Sequence, residues 1–66
     1  MLRMSISLPA DLTDEVTTLL RDSSAVSSVT VLRGASVLPE GDVVLADLAR
    51  EGANPILDRL RALGVH

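Results

Sequence analysis

The stretch VSSVTVLR, residues 26–33, most constrains what this chain can fold into. Val26, Val29, Thr30 and Val31 are β-branched, so they lose rotamer freedom in a helix and pack well on a pleated surface. Val29 and Val31 fall on one face at a period of two, the repeat of a half-buried strand. An extended segment here divides the chain, because the residues before it carry a helical repeat.

Residues 2–8, LRMSISL, alternate without a break. Leu2, Met4, Ile6 and Leu8 face one way and Arg3, Ser5 and Ser7 the other, which predicts a first strand. Pro9 has no N–H to give to a ladder and stops it. Over residues 10–22 the period lengthens, and Leu12, Val16, Leu19 and Leu20 form one helical stripe. Asp11, Asp14 and Glu15 crowd its first turn and Arg21 its last, as the helix dipole favours. Ala10 or Asp11 is the expected N-cap. After residues 26–33, Gly34 reads as a stop, and residues 34–42 (GASVLPEGD) read as a long turn region. Residues 42–49 form a third apolar run, expected to pair antiparallel with the second. Residues 50–64 give a second helix striped by Ile56, Leu57, Leu60 and Leu63, with Gly64 as its C-terminal stop. That helix begins either at the Asn54–Pro55 pair or near Glu51 with Pro55 tolerated in the first turn.

The order is therefore β-α-β-β-α, an α+β class chain in which both helices cover one face of the sheet. That is the ferredoxin-like two-layer sandwich with its fourth strand missing or supplied by a partner. In that plan the strands lie in the order 4-1-3-2, so the absent strand belongs beside the first. An unpaired first strand is an edge, and exposed edges pair. Self-association, edge to edge or sheet face to sheet face, is the expected consequence, and Leu2 and Met4 on that strand are candidate contact residues.

The same opening, a strand running through Pro9 into an acidic helix, also fits a ribbon-helix-helix DNA binder, but that fold needs a second helix where residues 26–33 favour a strand. Charge argues the same way. The chain carries six basic residues, all Arg, against nine acids, for a net charge of −3. A nucleic-acid binder needs a basic stripe to displace phosphate counterions, and with no aromatic residue there is no base-stacking platform. No nucleic-acid partner is expected. No apolar run approaches the roughly 20 residues of a membrane span, so the segment reads as soluble. A chain of 66 residues supports one domain with a marginal core, and without cysteine neither disulfides nor thiolate metal sites can reinforce it.

Candidate chemistry is thin. Asp42, Asp47, Glu51 and Asp58 are carboxylates of the kind that hold a hard cation, but their spacing matches no loop pattern, and they read as a solvated acidic surface with no metal. The serines have no base besides the terminal His66, so no nucleophilic constellation is expected. No cofactor signature is present, and the chain is read as a non-enzyme. Residues 33–42 are the one stretch with a binding reading: Val37 and Leu38 would stand exposed at the tip of a long loop and contact a ligand or partner.

The stretch VTVLRGASVLPEGDVVLADLAREGANPILDRLRALG resembles the soluble N-terminal part of a prokaryotic membrane protein family, the domain of unknown function 389 family. The likeness lies in the LRG strand end, the P-x-GDVV-x-AD-x-A-RE strand and the A-N-x-ILDRLRALG helix, and runs over nearly the whole chain. It implies a final strand and several membrane helices downstream, neither of which this sequence has, and hence an excised domain, an N-terminal fragment or a solitary relative. The family's function is itself not established; taken with the absence of catalytic signatures, the reading is a non-catalytic regulatory or assembly domain that binds itself, the rest of its parent or a small ligand, cytoplasmic and tethered to the membrane part of its parent. A rival from another class is a stand-alone small-molecule sensor similar to the ACT domains.

Overall fold

A computed structural model describes residues 1–65. Strand β1 (Leu2–Leu8) leads through a single 3-10 turn at Ala10–Leu12 into helix α1 (Thr13–Arg21). Strand β2 (Val26–Val37) and strand β3 (Glu40–Leu48) form a hairpin, and a second 3-10 turn at Arg50–Gly52 precedes helix α2 (Ala53–Ala62). The three strands are antiparallel in the order β1-β3-β2. This is the α+β arrangement expected, a small ferredoxin-like type of fold; no fourth strand is present among the described residues. Where a ribbon-helix-helix chain needs its second helix, this chain has β2.

β3 is the central strand because it is the one buried on its inner face along its length. Asp42, Val44, Ala46 and Leu48 all point inward and are buried. Val44 lies opposite Ile6 on β1 and Val31 on β2, which joins the three strands into one apolar layer. Val16 and Leu20 of α1 and Ile56 and Leu60 of α2 close that layer from above. The α2 helix ends as Gly64 was expected to end it. Gly64 takes a φ of +89°, its N–H donates to the Arg61 carbonyl at 3.0 Å, and the Val65 N–H donates to the Leu60 carbonyl at 2.9 Å. This paired pattern is a Schellman cap, and it tucks Val65 into the core against Leu60.

Several expectations need correction. Residues 34–42 are not a long loop. β2 runs on to Val37, β3 starts at Glu40, and only Leu38 and Pro39, joined by a cis peptide bond, form the turn. Gly34 does not end the strand but sits in a bulge at a φ of +68°, a conformation open to glycine, where the ladder register shifts between Leu32 and Ser36. The first helix is not capped by Ala10 or Asp11. Pro9 precedes the 3-10 turn, Leu12 precedes α1, and neither supplies a side-chain cap. Of the two starts considered for α2 the earlier is the one found: the Arg50–Gly52 turn leads into the helix at Ala53, with Pro55 in its first turn. Leu57, placed in the buried stripe, is 36% exposed.

Candidate functional site

Three places gather polar or apolar groups that the core does not consume. The first is an inner carboxylate. Asp42 was expected on a solvated acidic surface, yet it is only 3% exposed. The bulge at Gly34 leaves a backbone N–H without a strand partner, and that N–H donates to Asp42 Oδ1 at 2.8 Å. The Thr13 hydroxyl donates to Asp42 Oδ2 at 2.7 Å, and Arg33 lies 3.5 Å from the same oxygen. The Thr13 hydroxyl, then the Gly34 N–H, hold the Asp42 carboxyl below its ordinary value against the opposing effect of burial. One side chain thus ties the start of α1 and the bulge of β2 to the central strand.

The second place is the sheet face that carries no helix. Arg3 donates to Asp47 through two parallel bonds of 2.9 and 3.0 Å, and Ser28 donates to Asp47 Oδ2 at 2.7 Å. These three residues stand opposite one another in the ladder, Arg3 on β1, Asp47 on β3 and Ser28 on β2. The Arg3 guanidinium, then the Ser28 hydroxyl, hold the Asp47 carboxyl down at about 2, and Asp47 raises Arg3. A hydroxyl against a carboxylate suggests a nucleophile and base, but an acid of that strength is a poor proton acceptor near neutrality. Val43 and Leu45 continue the same face and are half-buried, flanked by Ser5, Ser7 and Thr30 and by Leu32, which is 43% exposed. Glu51 and Asp58 are exposed and distant in the chain, and among the described residues no three His, Cys, Asp or Glu converge on a metal position.

The third place is apolar. A groove of about 390 Å³ runs between the outer rim of β1 and α2; the core residues Ile6, Leu60 and Val65 reach it from below, and Met4, Leu57, Arg61, Ser5, Ser7 and Pro39 complete its lining. It lies on the side of β1 away from β3, where the strand has no neighbour. Of the residues expected to make contacts, Met4 lines this groove, and Leu2 packs against the core farther along the strand, opposite Leu48. Val37 and Leu38 stand beside it at the hairpin tip, 86% and 93% exposed. Sequence reading had found these residues from their apolar character in a turn. It missed the groove, because Pro39, Arg61 and Val65 are brought to β1 only by the fold. A larger depression of about 490 Å³ lies between α1 and α2, lined by Asp14, Glu15, Asp22 and Arg59 together with Leu19 and Leu63. Among the described residues no helix is long and apolar enough to cross a membrane. Compared with protein-family models, curated proteins and solved structures, the chain matches none.

Proposed function

We propose that this chain is a non-catalytic assembly module that works by self-association. The observation that carries the reading is the bare rim of β1: an antiparallel strand with one side unpaired, an apolar groove along it and exposed aliphatic residues beside it. Unpaired strand backbone and clustered apolar surface are the two features soluble domains cover when they assemble. The chemistry of the polar groups supports the same reading. Asp47 is held too acidic to serve as a base, and Asp42 is occupied by its donors. The resemblance to the domain of unknown function 389 family adds a setting, a cytoplasmic module tethered to the membrane part of its parent chain.

Sedimentation velocity over a range of chain concentrations tests the reading. A dimer or larger species that dissociates on dilution is the expected result. A monomer at every concentration overturns self-association, and a thermal shift with one compound of an amino-acid panel would then favour the small-molecule sensor.

A further inference from the structure

We infer that two copies pair reciprocally, the Val37–Leu38 tip of each seated in the β1–α2 groove of the other, with Glu40 of one copy against Arg61 of the second. The inference rests on the assembly reading and names the surface that performs it.

The hairpin tip is more apolar than its backbone requires. Two-residue turns are served by Gly, Asn, Asp and Pro, and nothing in the turn demands Val37 or Leu38, which are the most exposed large apolar residues of the chain. Val37 lies directly opposite Glu40 in the ladder, so the two side chains share a face, and Glu40 alternates with Asp42 and Val44 on the face that carries the helices. Val37 and Glu40 therefore stand together on the face that carries the helices, with Leu38 exposed in the turn beside them. Glu40 is exposed and forms no ion pair among the described residues.

The groove is the complement of that tip. Met4 and Leu57 give it apolar walls above the buried Ile6 and Leu60, Ser5 and Ser7 line it from β1, and Arg61 supplies a cation. Among the described residues Arg61 pairs with the exposed Asp58 alone, at 3.7 Å within one helix turn, a contact of little energetic weight. Tip and groove are also neighbours, since Pro39 belongs to the turn and lines the groove. A two-fold interface uses the same patch on both subunits, so it requires a projection and a matching recess side by side. This surface has both, with an acid, Glu40, at the projection and a base, Arg61, at the recess. A second copy is thus the occupant for which shape and charge both find a counterpart within this sequence.

The test uses the 66-residue chain, with folding of each variant checked by circular dichroism. Sedimentation velocity from about 5 to about 500 µM spans the range of weak interfaces. Leu38→Glu changes a solvent-facing side chain and is expected to raise the dimer Kd at least about tenfold. Glu40→Arg and Arg61→Glu each place like charges together and are expected to weaken the dimer about tenfold. The double variant restores the pair with its signs exchanged, and its Kd should return to within about threefold of the parent. A parent chain that is monomeric throughout overturns both the inference and the assembly reading. A parent dimer indifferent to Leu38→Glu, or a double variant no better than the singles, overturns the inference alone and moves the contact to the strand edge or the open sheet face.

Discussion

Replacing Leu48 by alanine is the sharpest test of how the core is built. Leu48 is fully buried on the central strand, opposite Leu2 of β1 and Val26 of β2. Neighbours on both sides are fixed by ladder pairing, so the cavity left by the lost methyl groups cannot collapse easily. Leu-to-Ala changes at such sites cost about 3–5 kcal/mol. A chain of 66 residues has a net stability of only about 3–10 kcal/mol, so one side chain accounts for a third of it or more. With a urea dependence of about 1 kcal/mol per molar, the unfolding midpoint should fall by about 3–5 M, or the cooperative transition should vanish. The assay is urea unfolding followed by circular dichroism, at low micromolar chain where association adds little. Leu38→Ala, at the exposed tip, is the control and should stay within about 0.5 kcal/mol of the parent. A midpoint shift below about 1 M for Leu48→Ala, or an equal loss for Leu38→Ala, would refute the reasoning.

The glycines should separate by cause. Gly34→Ala meets open space and only the strain of its positive φ, about 1 kcal/mol, whereas a Cβ at Gly41 overlaps the Leu8 carbonyl, a backbone atom that cannot swing aside, so Gly41→Ala should lose clearly more in the same unfolding assay. Acid should destabilise the chain in a definite window: Asp42 and Asp47 are both lowered in the folded state, Asp47 to about 2, so their contribution is full above the ordinary carboxyl pKa of about 4 and is lost as pH falls through their folded-state values. Carboxyl NMR titration should find Asp47 near 2, rising on Arg3→Gln and by less on Ser28→Ala; an unmoved Asp47 would contradict the bonding described.

What the sequence disclosed follows from periodicity. Residues 2–8 alternate cleanly, and β1 occupies those residues. The helical stripes located α1 and α2 to within a few residues, since Val16, Leu20, Ile56 and Leu60 can be hidden only on one face. Local signals failed where tertiary pairing overrode them. Gly34, Pro39 and Asp42 each favour turns in isolation, and together they read as a loop. In the fold Gly34 makes a bulge, Pro39 a two-residue turn, and Asp42 fills the bulge with its carboxylate. A buried acid facing a bulge 8 residues earlier has no local periodic signature. The exposed Val37 and Leu38 were legible as apolar residues in a turn, but the groove beside them was not, because β1 and α2 meet only through long-range packing.

The account depends on residues 26–37 being extended and on β3 being central. Interstrand NMR contacts at Val44 test this most directly, since Val44 lies opposite Ile6 on one side and Val31 on the other. Cross-peaks from Val44 to both residues, with strand-type sequential contacts through residues 26–37, are the predicted result. Helical contacts three residues apart within that segment, or a Val44 paired on one side only, would contradict it.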